Sequence, residues 1–103
     1  MVSVIIPTLN EQETIAAVVQ CAFLCDKVTE VLVIDDKSVD DTVALAKKAG
    51  AKVFASSRLG KGASMREGIL LAKNEILLFI DGDIHPYPKN MMELLIAPII
   101  NDE

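Results

Sequence analysis

Four short apolar runs alternate along this chain with segments of helical period, and that alternation is what limits its fold. The runs are Val2 to Ile6, Val31 to Ile34, Lys52 to Ala55 and Ile76 to Ile80. Near-continuous apolarity suits strands covered on both faces, as in parallel sheets with helices above and below. Between them Ile15, Val18, Val19, Ala22 and Phe23 form one helical stripe, Thr42, Leu45, Ala46 and Ala49 a second, and Met65, Ile69 and Ala72 a third. Asn10 with Glu13, and Ser38 with Asp41, have capping-box spacing, and Gly50 stands where a helix C′ glycine would. Pro88 can open a fourth helix, which Pro98 should kink or end. The pattern predicts an α/β fold: a βαβαβαβα unit with right-handed crossovers, one half of a doubly wound nucleotide-binding domain. Its 103 residues are expected to form a single unit, without internal repeat or linker.

Composition narrows the function classes. A formal net charge of −5, with no cluster of Lys and Arg among aromatics, excludes a phosphate-backbone footprint for nucleic acid. An anionic nucleotide still suits an acidic protein if a divalent cation mediates. No run approaches the roughly 20 apolar residues that span a bilayer, and Met1 leads straight into Val2-Ser3-Val4 without a basic stretch. The expectation is a soluble cytoplasmic protein. Cys21 and Cys25, with no second pair to complete a zinc site, read as reduced packing residues. A mean hydropathy of +0.40 is high for so short a chain and predicts a homo-oligomer. The expected contact is a two-fold one through Met91, Leu94, Leu95, Ile99 and Ile100.

The polar residues collect after the apolar runs, where ligands of such sheets bind. Pro7-Thr8-Leu9-Asn10-Glu11 follows the first run, Asp35-Asp36 the second, Ser56-Ser57-Arg58 the third and Asp81-Gly82-Asp83 the fourth. A glycine between two aspartates lets the backbone turn and aim both carboxylates into one crevice. Hard oxygen ligands there suit Mg²⁺ or Mn²⁺ holding a diphosphate. The plainer alternative is ordinary Asp-Gly turn chemistry. Lys61, between Gly60 and Gly62 at the start of the third helix, stands where free N–H groups favour anions, or is a surface turn lysine.

Four segments together resemble the nucleotide-binding half of a family 2 glycosyltransferase of the GT-A fold. They are Val2 through Glu11, Val33 through Thr42, Lys61-Gly62-Ala63, and Phe79 through Asp83. A narrower resemblance, carried by Leu9-Asn10-Glu11, Gly60-Lys61-Gly62 and the stretch from Pro86 to Pro98, is to the glucosyl-3-phosphoglycerate synthases. Asp35-Asp36-Lys37-Ser38 departs from that subgroup, which has Asp-Ser-Gly-Ser. The resemblance covers almost all of this chain but only about the first half of such an enzyme.

The resemblance implies a UDP-sugar, UDP-glucose in the narrower case, and transfer to an acceptor such as 3-phosphoglycerate. Pro7, Thr8, Leu9, Asn10 and Glu11 would frame the uracil and ribose, and Asp36 would meet the pyrimidine. Asn10 as a helix cap, and Asp36 as a solvated turn carboxylate, are the structural alternatives. Asp40 and Asp41 read better as capping and helix-dipole residues. Lys61 would neutralise the diphosphate, with Arg58 assisting or merely solvated. Asp81 would contact the ribose and Asp83 would ligate the metal, while His85 is a weaker candidate ligand. No catalytic base is assigned. A non-catalytic nucleotide-binding or assembly module is the alternative from another class. Phosphoryl transfer of the haloacid-dehalogenase type fits poorly, since three strands precede the Asp-Gly-Asp.

Overall fold

The computed structural model describes residues 1–56 and 61–83, with the backbone alone for 61–65. In chain order the elements are β1 (Val2–Thr8), α1 (Ile15–Phe23), β2 (Val28–Asp35), α2 (Thr42–Lys48), β3 (Lys52–Ala55), α3 (Lys61–Leu71) and β4 (Ile76–Phe79). The four strands pair in parallel in the order β3-β2-β1-β4. The chain moves outward from β1 to β3, then returns to the other side of β1 for β4. The order therefore reverses between β1 and β4, the position at which ligands of doubly wound sheets bind. The fourth helix expected from Pro88, and the residues Ser57, Arg58 and His85, lie outside the described residues.

Side-chain alternation explains the apolar runs. Val4 and Ile6 of β1 and Val31 and Val33 of β2 pack with Ile15, Val18, Val19 and Ala22 of α1 and Ala46 of α2. Ile5, Leu32 and Ile34 face the other way, where Ala72, Phe54, Leu77 and Phe79 join them. On this second face α3 approaches so closely that a Cβ on Gly68 would lie 2.4 Å from Cγ2 of Ile5. That approach corrects the third expected stripe. The packed side runs through Gly68 and Ala72, so Ile69, about 100° further round the helix, is half exposed and Leu70 is 80% exposed.

β1 extends further than its apolar run, because Pro7 and Thr8, expected in the loop, are its last residues. The Ile80 N–H donates to the Ile5 carbonyl at 3.2 Å and the Asp36 N–H to the Thr8 carbonyl at 2.9 Å, so alternate residues of β1 face β4 and β2. Pro7 faces β4 and has no N–H to give. The pairing of β1 with β4 stops before it, at Ile5 opposite Phe79, whereas the pairing with β2 continues to Thr8 opposite Asp35.

Gly50 ends α2 as expected, at φ 106°. The N–H groups of Gly50 and Ala51 donate to the carbonyls of Lys47 and Ala46, the paired bonds of a Schellman turn. The two capping boxes do not form, since Thr14 precedes α1 and Asp41 precedes α2 without a side-chain cap bond from either. Cys21 and Cys25 are buried free thiols, and burial pushes the Cys21 thiol up. No helix among the described residues is long and apolar enough to cross a membrane.

At the amino ends of the strands a buried carboxylate ties β1, β2 and the loop after α3 together. Oε2 of Glu30 accepts from the Ser3 hydroxyl and from the Lys73 N–H, each at 2.7 Å, and Lys52 Nζ lies 3.7 Å from Oε1. Asn74 Nδ2 donates to Ser3 Oγ and Thr29 Oγ1. Burial pushes the Glu30 carboxyl up, but the Lys73 N–H, the Ser3 hydroxyl and the charges of Lys52 and Lys73 outweigh it and hold the group below its usual 4.5. The folded value lies below the unfolded one. The stability it contributes is thus fully present above the unfolded value and is lost as pH falls through the folded one. Urea denaturation should find Glu30→Gln less stable than the parent at neutral pH but less sensitive to acidification below about pH 4.5. Parallel pH profiles for the two proteins would refute this.

Candidate functional site

At the carboxyl ends of β1 and β2 one buried carboxylate joins two loops. Asp35, 4% exposed, ends β2. Its Oδ1 accepts from Thr8 Oγ1 at 2.8 Å and from Ser38 Oγ at 2.6 Å, and its Oδ2 accepts from the Ser38 N–H at 2.9 Å. The same Ser38 Oγ accepts from the Asn10 N–H at 2.8 Å, and Asn10 Oδ1 accepts from the Val39 N–H at 2.9 Å. Asn10 and Ser38 therefore spend their side chains across the loops, which corrects the expected capping boxes. Parallel β1 and β2 lie side by side, so the loops that leave them offer each other partners as near as the helices do.

The cross-bracing continues along the loops. Thr42 Oγ1 accepts from the Glu11 N–H at 2.8 Å, Asp40 Oδ2 from the Gln12 N–H at 3.3 Å, and Gln12 Oε1 from the Asp41 N–H at 3.2 Å. Asp40 Oδ1 accepts from the N–H and hydroxyl of Thr42, so Asp40 does serve the start of α2. Some desolvation pushes the Asp40 carboxyl up, but the Thr42 hydroxyl and the N–H groups of Thr42 and Gln12 bring it below the usual range. Asp40 is ionised at neutral pH.

The expected site residues fall around this frame. Leu9 and Asn10 are exposed, Glu11 is half-buried and Asp36 is buried directly after the Asp35 hub. Asp81 is half-buried at the end of β4, Gly82 is buried and Asp83 is exposed. Thr14 donates from its hydroxyl to the Gly82 carbonyl, which docks the Asp-Gly-Asp turn against the entry to α1. A Cβ on Gly82 would lie 3.2 Å from Thr8 Cγ2 and 3.3 Å from Ile6 Cγ2, so the glycine allows the turn to lie close against β1. Asn10, Glu11, Gln12, Glu13, Thr14, Asp40 and Asp83 line a cleft of about 340 Å³. Lys61 opens α3, but its side chain lies outside those described.

Among the described residues no three His, Cys, Asp or Glu side chains converge to hold a metal ion. Of the Asp-Gly-Asp turn only Asp83 lines the cleft, and a single hard carboxylate oxygen there would suit Mg²⁺ or Mn²⁺ if water and the oxygens of an anionic ligand completed the shell. Sequence reasoning missed Thr14 and gave Asp35, Ser38 and Thr42 no part in bracing the loops, which their side chains hold. Their one signal is a surplus of short oxygen-bearing side chains after β1 and β2.

Residues 3–103 match the family described as Glycosyl transferase family 2. The chain belongs to that family. This family 2 chain is 31% identical over 113 residues to the glucosyl-3-phosphoglycerate synthase of Petrotoga mobilis, a match that covers 97% of the chain and 35% of the relative. It is 37% identical over 82 residues to an uncharacterised glycosyltransferase of Mycobacterium bovis, covering 80% of the chain and 36% of that protein. The crystal structure of the Mycobacterium tuberculosis glucosyl-3-phosphoglycerate synthase in complex with Mn²⁺, UDP-glucose and phosphoglyceric acid superposes with a TM-score of 0.91. Identity there is 31%, over all of this chain and 40% of that one. The chain thus spans little more than a third of the length of these relatives. The four-stranded parallel sheet with its flanking helices is the Rossmann-like part of the GT-A fold.

Lys37, where the narrower resemblance leads one to expect glycine, takes φ 59° in this family 2 chain, and Asn10 takes φ 55° in the neighbouring loop. A left-handed conformation costs an L-residue with a Cβ about 1 kcal/mol, less for Asn than for Lys. Glycine escapes that cost but loses more backbone entropy on folding. Lys37→Gly should therefore raise stability by roughly 0.5 kcal/mol, seen as a Tm increase of a few degrees. An equal or lower Tm would contradict it.

Proposed function

We propose that residues 1–103 form a single nucleotide-sugar-binding unit of a cytoplasmic glycosyltransferase, with a UDP-sugar as donor. The observation that carries this reading is the position of Asp81-Gly82-Asp83 at the carboxyl end of β4, across the strand-order reversal from the loop that leaves β1. A nucleotide laid across that crevice has its base beside Pro7, Thr8, Leu9, Asn10 and Glu11, with Asp36 reaching the pyrimidine ring. Asp81 bonds the ribose. Lys61, at the N-terminus of an 11-residue helix, neutralises the diphosphate together with the free N–H groups there. Asp83 holds the divalent ion, Mg²⁺ or Mn²⁺, which when bound stabilises the charge left on the departing nucleoside diphosphate. The likeness to the synthase that binds UDP-glucose and phosphoglyceric acid supports UDP-glucose as donor and a phosphoglycerate acceptor.

Binding is the part of the reaction for which these residues give an account. Purified chain that transfers or hydrolyses the sugar of UDP-glucose would exclude the reading of a non-catalytic binding module, and binding without turnover would favour it. The expected homo-oligomeric contact through Met91, Leu94, Leu95, Ile99 and Ile100 lies outside the described residues. The exposed Ile69, Leu70 and Leu71 of α3 add apolar surface in its favour. Light scattering during size exclusion should give about twice 11.1 kDa, and a stable monomer at micromolar concentration would refute the dimer.

Calorimetric titration with UDP tests the site. The parent should bind more tightly with Mn²⁺ than without it. In Asp83→Ala the ratio of the two affinities should fall to about one, while Asp81→Ala weakens both. Tight UDP binding by Asp83→Ala that still depends on Mn²⁺ would remove Asp83 as the ligand.

A further inference from the structure

Thr14 is the residue before α1, where a threonine ordinarily accepts a hydrogen bond from an N–H of the first helical turn. It makes no such bond. Its hydroxyl donates instead to the carbonyl of Gly82, 68 residues further along the chain. On its other side Gly82 rests against the methyl groups of Thr8 and Ile6, which would lie 3.2 and 3.3 Å from a Cβ placed on it. The middle residue of the Asp-Gly-Asp turn is therefore held between the end of β1 and the entry to α1. The two carboxylates flank that fixed point, with Asp81 half-buried and Asp83 exposed to the cleft that Thr14 also lines.

From this geometry we infer that Thr14 is a positioning residue: its bond to Gly82 sets the direction in which Asp83 meets a cation and its nucleotide. The inference rests on the nucleotide-sugar reading above and adds to it a residue that acts through Gly82. The hydroxyl fixes the direction of the Gly82 carbonyl, and with it the peptide plane that leads to Asp83. With the bond lost, β4 and its pairing to β1 remain, but the Asp83 carboxylate samples several directions. Supporting residues of this kind typically change metal affinity about tenfold or more when removed.

Thr14→Val keeps the shape of the side chain and removes the donor, whereas Thr14→Ser keeps the donor and removes a methyl. UDP affinity is measured by calorimetry with and without Mn²⁺ in all three proteins, and amide hydrogen exchange at Gly82 and Asp83 is followed without ligand. The expected result for Thr14→Val is a loss of roughly tenfold in the Mn²⁺-dependent gain, an unchanged affinity without metal, and faster exchange confined to the turn. Thr14→Ser should behave as the parent does. A Thr14→Val protein with the parent's Mn²⁺ dependence would overturn the inference, as would a loss that Thr14→Ser shares in full. Should the parent itself bind no UDP in Mn²⁺, the functional reading falls, and the exchange data decide separately. Unchanged exchange at the turn in Thr14→Val would then reject the role of Thr14, and faster exchange reversed by Ser would keep its hold on the turn.

Discussion

Everything at the ligand end of this sheet depends on β1 being paired on both edges, and on those pairings ending at different heights. Toward β2 the ladder continues to Thr8 opposite Asp35, while toward β4 it stops at Ile5 opposite Phe79. Pro7 stands on the β4 side, where its missing N–H costs no bond, because the regular pairing with β4 ends before it. The rest of β1 is secured by burial on both faces. Fully buried Val2, Val4, Ile5 and Ile6 each contribute on the order of 1.5–3 kcal/mol by the area they remove from water. The early end of the β4 ladder leaves the last residues of β1 to the Asp-Gly-Asp turn, whose Gly82 packs against Ile6 and Thr8.

The second requirement is that the two loops above β1 and β2 keep one arrangement. A carboxylate as buried as Asp35 is costly unless its oxygens are bonded. Thr8, Ser38 and the Ser38 N–H meet that need, and in doing so they tie the end of β1 to the turn after β2. Because Ser38 passes the connection on to the Asn10 N–H, the position of Asn10 depends on Asp35, although the two do not share a bond. Asp36 follows the hub directly, with its own N–H bonded to the Thr8 carbonyl. The two buried aspartates thus have different work: Asp35 fixes the loops, and Asp36, proposed to meet the base, is held where they meet.

Strands and helices were legible because their apolar periods are imposed by burial on two faces of a sheet. Asp81-Gly82-Asp83 was legible as a strand-end motif for the same reason: the apolar run ends and the polar chemistry begins. What misled was chemistry with two good uses. Asn10 and Ser38 both suit helix caps, and only the adjacency of parallel neighbours gives their side chains better partners. Ile69 misled differently. A helical stripe is counted from apolar side chains, and the closest contact of α3 with the sheet is made by Gly68, which has none. Lys37 carries no local mark of its left-handed backbone, and only comparison with a glycine at that position points to it.

The two ends of the sheet treat acidic groups in opposite ways, and the contrast bears on what the open end can bind. Glu30 at the amino end is enclosed and matched by donors and by Lys52. At the carboxyl end Glu11, Glu13, Asp40 and Asp83 surround a cleft that opens to solvent. Their mutual repulsion is tolerable because water screens it, to about 1 kcal/mol for unit charges at 4 Å. A diphosphate entering the same space would meet like charge and displace that water, which strengthens the repulsion as the dielectric falls. The hydrogen bonds that keep Asp40 ionised make protonation no remedy near neutral pH. On the proposed reading, anion binding here is linked to the uptake of a cation, and Asp83, the carboxylate of the Asp-Gly-Asp turn that is exposed to the cleft, is the residue proposed to share it.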